Sequence, residues 1–141
     1  MPRRRPSALR GETPVRRPRR RRFPSVGPVS GSCVAALCRL ERTRLWPEAT
    51  AEALWHWRAL AHGPLRRVAD PPFGAPSCGI PECGCDPGHF RDRLELVLHL
   101  LPRKSARELR ALLRPLDEKI LARARIIRAN GPDDPWWRGR L

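Results

Sequence analysis

Cys78, Cys83, Cys85 and His89 place four soft or borderline donors within twelve residues, in the pattern C-x4-C-x-C-x3-H. Zinc is held by tetrahedral sulfur and nitrogen donors, and a structural site takes all four from the protein. The intervening residues suit such a site. Gly79 and Gly84 permit turns that other residues resist, and Gly84 can aim both sulfurs of the C-x-C pair at one centre. His89 falls in the first turn of a helix expected to start at Asp86-Pro87, where the positive end of the dipole favours a site carrying three thiolates. A structural zinc ion on Cys78, Cys83, Cys85 and His89 is therefore the leading chemical expectation. The competing readings are reduced, unliganded thiols with His89 as a helix cap, and a disulfide, which an oxidising compartment would require.

Other reactive side chains carry less. Cys33 and Cys38 share a C-x4-C spacing, but positions i and i+5 of a helix point about 140° apart. They are read as small buried residues. An iron-sulfur cluster would need one of them to join the loop cysteines. Asp92, Glu95 and His99 lie on the polar side of one predicted helix. They could build a second metal site or an acid/base pair, and more simply form a solvated face with one weak ion pair. His56 and His62 have no evident partner in the sequence. No nucleophile elbow, P-loop, H-E-x-x-H or deaminase H-x-E pattern occurs. With four protein ligands on the metal, no position stays open for water. No catalytic residue and no small-molecule substrate are assigned, and a metal-dependent enzyme is the weakest of the functional readings.

The elements that must position these residues read as helices. The chain has 141 residues, the size of one domain. A first helix is expected from about Ser32 to Trp46, capped by Ser30 or Ser32, with Val34, Leu37, Leu40 and Leu45 as its apolar stripe. A second runs from about Pro47 to His62, with Pro47 in its first turn, Glu48 at its positive end and Gly63-Pro64 as its stop. Residues 63–88 form a Pro/Gly-rich loop, long enough that something should order it, and a metal would do so. Phe90, Leu94, Val97, Leu98 and Leu101 mark the third helix at i, i+4, i+7, i+8 and i+11, with Leu96 and Leu100 as a second apolar flank and Pro102 as its end. The fourth opens on a capping box, Ser105 to Glu108, and carries Leu109, Leu112, Leu113, Leu116, Ile120, Ala124 and Ile127. Pro115 should kink or split it, and Asn130-Gly131-Pro132 should end it. No convincing strand and no internal repeat is present. The expected fold is all-α: a small bundle of four or five helices with a metal-stapled Pro/Gly-rich loop and a disordered basic N-terminal arm. The divisions are 1–31 for the arm, 32–130 for the helical domain with its Cys/His loop at 78–89, and 131–141 for a tail.

Charge completes the reading. The chain has 29 Lys+Arg against 14 Asp+Glu, a net +15, and 27 of the basic residues are Arg. Much of the Arg, Pro, Ala and Gly content is what a GC-rich gene yields, so the choice of Arg does not itself indicate phosphate binding. Residues 1–32 hold a net +9, with Arg3, Arg4, Arg5, Arg16, Arg17, Arg19, Arg20, Arg21 and Arg22 among them. Like-charge repulsion and proline keep such a segment from folding alone. Three readings compete for it: a phosphate-neutralising tail, an extension without function, and an export signal of the type R-R-x-F at Arg20-Arg21-Arg22-Phe23. The tail holds Trp136 and Trp137 between Pro and Arg, suited to a partner groove or to stacking on bases, and equally to folding back on the chain's own core. No run of about 18 apolar residues is present, so no membrane span is expected. The combined expectation is a cytoplasmic, zinc-stabilised binding module that associates with nucleic acid or a nucleic-acid-bound complex. The alternative is a protein-interaction adaptor using the fourth helix and Trp136-Trp137.

Overall fold

The computed structural model describes residues 23–64, 87–123 and 135–138. These residues form four α-helices and a short 3-10 turn, with no strand among them: α1 (Gly31–Arg44), α2 (Ala49–His62), α3 (Pro87–Leu100), α4 (Arg103–Arg123) and the turn Trp136–Arg138. The all-α expectation holds. Cys78, Cys83, Cys85 and residues 1–22 lie outside the described residues.

Helix α3 is central. It packs against α2, α4 and the 3-10 turn. Its predicted stripe of Phe90, Leu94, Val97, Leu98 and Leu101 is buried, and it meets Leu54, Trp57 and Leu60 of α2 and Leu109, Leu113, Leu116 and Ile120 of α4. The second flank differs from expectation. Leu96 and Leu100 are 47% and 43% exposed, while Arg91 and Arg93 are buried at 6% and 7%. Each arginine has its own receiving site. Arg91 forms a two-pronged pair with Asp117 of α4 (Nε–Oδ1 3.3 Å, Nη2–Oδ2 3.1 Å) and reaches Glu95 through Nη1 at 2.8 Å. Trp57 of α2 donates its indole N–H to the same Asp117 at 2.8 Å. Arg93 donates to Glu52 of α2 at 2.7 Å, and its guanidinium lies 4.4 Å from the Trp46 ring centre.

Helix ends are closed largely by side chains of other helices. Ser30 caps α1 as expected, its hydroxyl accepting from the Cys33 N–H. The α2 start differs from the sequence reading. Helix α2 begins at Ala49, and Glu48 sits before it at φ 66° with no side-chain cap of its own. The cap is instead Glu41 of α1, whose two oxygens accept from the Glu48 and Thr50 N–H groups at 3.0 Å each. Pro47 lies outside the helix, among the four residues between α1 and α2. At the far end of α2, Arg123 of α4 donates to the carbonyls of Ala61 and Gly63, each at 2.6 Å, satisfying groups a helix end leaves unpaired.

The capping box is also corrected. Helix α4 begins at Arg103, directly after Pro102, so Ser105 is already inside the first turn and buried. Glu108 is released from a capping role and accepts from the Ser30 N–H at 2.7 Å and the Ser30 hydroxyl at 2.8 Å. Pro115 does not split α4, which runs unbroken through it. Pro115 and Ala111 are both exposed, so water can reach the carbonyl that proline leaves without a donor.

The packed unit starts before the boundary expected at residue 32. Val26 and Val29 lie against the core, and the Val26 carbonyl accepts from Arg58 of α2 at 2.9 Å. Gly27 has φ 128°, and a Cβ there would come within 3.0 Å of the Arg58 guanidinium. Of the two helical cysteines, Cys33 is buried with its thiol toward the Ser105 carbonyl at 3.7 Å, whereas Cys38, expected to be buried, is exposed. Val34, also expected in the apolar stripe, is 46% exposed, and the buried face of α1 is Cys33, Ala36, Leu37 and Leu40.

The Arg91–Asp117 pair gives a direct test. Truncating one member of a buried ion pair leaves the other without compensation. Asp117→Ala is expected to lower unfolding free energy by about 3 kcal/mol, read by chemical denaturation. The double variant Arg91→Met/Asp117→Leu should recover most of that loss.

Candidate functional site

Of the expected site residues, His89, Trp136 and Trp137 fall among the described residues. His89 is on the first turn of α3, half-buried, with Nε2 at 3.3 Å from Arg93 Nη2. Arginine carries only donors, so this contact is a hydrogen bond in the tautomer whose Nε2 accepts. The imidazole lone pair then faces Arg93. Among the described residues, no group of three or more His, Cys, Asp or Glu side chains is placed to hold a metal ion.

Trp136 and Trp137 pack on the chain's own bundle. Trp137 donates its indole N–H to Asp92 at 2.8 Å and lies under the Arg91 guanidinium, 4.2 Å from ring centre to Cζ. Trp136 and Trp57 have ring centres 6.0 Å apart. The polar side of α3 is likewise engaged: Asp92 receives Trp137, and Glu95 faces both Arg91 and His99, the latter at 3.4 Å. These contacts tie Asp92 and Glu95 to other side chains of the fold. His56 stacks on Phe90 at 4.0 Å, and His62 Nδ1 lies 2.8 Å from Lys119 Nζ.

A different concavity is open to solvent. A groove of about 420 Å³ lies between the C-terminal half of α1 and the corner joining α3 to α4. Ala36, Arg39, Leu40 and Thr43 line one side, falling on one helical face at i, i+3, i+4 and i+7. Leu100, Leu101 and Pro102 line the other, and Arg42 and Arg44 extend the first side to the end of α1. Among the described residues, no carboxylate lines the groove.

Charge in the described residues is unevenly distributed, for a structural reason. Glu48 apart, the described carboxylates each have a partner within the fold: Glu41 at the α2 start, Glu52 on Arg93, Asp92 on Trp137, Glu95 and Asp117 on Arg91, Glu108 on Ser30, and Glu118 on Arg114. Arg39, Arg42 and Arg44 are exposed. Arg42 and Arg44 also occupy the last turn of α1, where cations favour the negative dipole end. All three arginines thus stand at the groove as exposed residues.

Sequence reading missed this group. The signal was present as three arginines within Arg39-Leu-Glu-Arg42-Thr-Arg44, but the denser runs before residue 23 overshadowed it. The facing wall is not legible because the periodicity places Leu100 on a second apolar flank of the third helix, expected to be covered.

No described helix is long and apolar enough to cross a membrane. Compared with protein-family models, curated proteins and solved structures, the chain matches none.

The Glu108 contacts with Ser30 join α4 to the start of α1, the helix that forms one wall of the groove. The Ser30 backbone and hydroxyl hydrogen bonds, followed by the nearby Lys104 charge, hold the Glu108 carboxyl below its usual range. A carboxyl lowered in the folded state stabilises it at neutral pH and loses that contribution as pH falls through the folded-state value. Glu108→Gln should therefore be less stable than the parent at neutral pH, and the gap should close as pH drops below about 4. Thermal melts across that range measure it.

Proposed function

We propose that this chain is a small helical binding module that associates with nucleic acid or a nucleic-acid-bound complex. The observation that carries the reading is the α1 groove, where Arg39, Arg42 and Arg44 stand exposed with no carboxylate in the lining. Cations on a polyanion release condensed counterions, which makes affinity fall steeply with salt. The arginines of the N-terminal segment, Arg3 to Arg5, Arg16, Arg17 and Arg19 to Arg22, would add sequence-independent affinity in the same way. No groove-reading helix is part of this proposal; the contacts envisaged are to the backbone.

A structural zinc ion on Cys78, Cys83, Cys85 and His89 belongs to the same proposal. It would cross-link the Pro/Gly-rich segment to the start of α3. His89 must then exchange its contact with Arg93 for the metal. Arg93 retains Glu52 and the Trp46 face after that exchange, so it is not left buried and unpaired. Three thiolates around one Zn²⁺ carry a net negative charge, and Arg93 would lie on the favourable side of it. The proposed compartment is the cytoplasm, where thiols stay reduced and available to metal.

The adaptor alternative is less supported, because Trp136 and Trp137 already face Trp57, Arg91 and Asp92.

Titration of the full-length chain with DNA and RNA across a salt series tests the main reading. The logarithm of affinity should fall linearly with the logarithm of salt, and Arg39→Ala/Arg42→Ala/Arg44→Ala should flatten the slope by roughly 2 to 3. Absence of affinity for either nucleic acid at low salt removes the proposal. Metal analysis of the purified, untagged chain tests the second part. One zinc per chain, with a lowered melting temperature in Cys83→Ser, is expected; a metal-free chain whose melting is unaffected by that substitution eliminates the staple.

A further inference from the structure

The α1 groove combines two surfaces that a simple phosphate-binding patch does not need. Its rim is cationic through Arg39, Arg42 and Arg44, while Leu40, Leu100 and Pro102 make its body apolar. Leu100 is 43% exposed, an apolar side chain left uncovered at the edge of a basic site. A duplex keeps its bases stacked inside and offers phosphate outside, so charge alone would serve it. A single strand offers both phosphates and flat apolar base faces, and proteins bind it by combining a cationic groove with side chains on which bases stack, commonly aromatic ones, whose place Leu100 and Pro102 would take here.

From this pairing we infer that the groove binds single-stranded nucleic acid. One unstacked base lies against Leu100 and Pro102, and neighbouring phosphates meet Arg39, Arg42 and Arg44. This rests on the nucleic-acid reading above and narrows it to one ligand form. The groove volume of about 420 Å³ suits a small ligand group more than a rod the width of a duplex. Guanidiniums serve twice in such a site, since they pair with phosphate and also stack on base planes. An acidic peptide would satisfy the charges too. A continuous polyanion is the better match, because the chain carries ten further arginines in residues 1–32.

The test uses the full-length chain and four fluorescent or competing probes at one low salt concentration: a short oligothymidylate, a duplex of the same length, an abasic strand with the same number of phosphates, and poly-glutamate. The oligothymidylate should bind about tenfold tighter than the abasic strand and tighter than the duplex. Leu100→Ser changes an exposed side chain, so folding should persist. It should abolish the preference for bases while leaving the salt slope unchanged. Equal affinity for the base-containing and abasic strands, a duplex bound as well as the single strand, or poly-glutamate competing as well as the strand would each overturn the inference. In those three cases the salt-dependent nucleic-acid binding of the parent can survive. Failure of every nucleic-acid probe to bind defeats both readings together.

Discussion

Asp117 is where three helices and the C-terminal turn are tied together. Its carboxylate accepts from Trp57 of α2 and from both prongs of Arg91 of α3, while the Trp137 ring lies against a face of that guanidinium. Burying a guanidinium costs heavily unless its donors and its charge are both answered. Here Asp117 and Glu95 answer both, and the indole supplies a favourable face where water has been removed. Such a junction is directional. A leucine in place of Arg91 could pack in several orientations, but the fork accepts one crossing of α3 over α4. The apolar contacts around Trp57, Leu94 and Leu113 supply the cohesion, and the junction selects the arrangement.

Helices of 14 residues, as α1, α2 and α3 are, hold poorly as isolated segments in water. Their ends show how the bundle compensates. Glu41 of α1 closes the start of α2, Arg123 of α4 closes its end, and Glu108 of α4 holds the Ser30 that caps α1. The two α2 caps form only when a second helix is in place, and the local Ser30 cap of α1 is held by a third, so local order and tertiary packing depend on one another. The same exchange concentrates negative charge inward. With most carboxylates turned toward partners in the bundle, the exposed arginines of α1 have none to pair with in the groove.

What was legible in the sequence was the part governed by periodicity. Phe90, Leu94, Val97, Leu98 and Leu101 recur at helical spacing, and each is buried as that spacing implies. The stops at Gly63 and Pro102 were legible too, because proline acts through its own backbone and on the residue before it: Gly63, ahead of Pro64, is extended at φ −72° and ψ 173°. Side-chain partnerships across long separations were not. Ser105 and Glu108 have the right local spacing for a capping box, yet Glu108 finds its donors 78 residues away at Ser30. Arg91 and Arg93 look like the polar side of an amphipathic helix until Asp117 and Glu52 are brought beside them. The groove was hidden for a related reason: its two walls come from residues 36–44 and 100–102, which only the packing of α1 on the α3–α4 corner brings together.

That corner also explains why an apolar wall should stand beside a basic rim. Pro102 ends α3 and α4 starts at the next residue, so the chain turns with almost no loop. A turn that short leaves the last residues of α3 at the outer edge of the bundle. Leu101 points inward and is 8% exposed, while Leu100, one position earlier and about 100° around the helix, faces outward at 43%. Helix α1 cannot cover Leu100, because its own buried face, ending at Leu40, is committed to the core and its next turns carry Arg42 and Arg44. The juxtaposition of uncovered leucine and unpaired arginine thus follows from two packing constraints, a proline corner and an amphipathic helix whose apolar stripe stops one turn before the helix does.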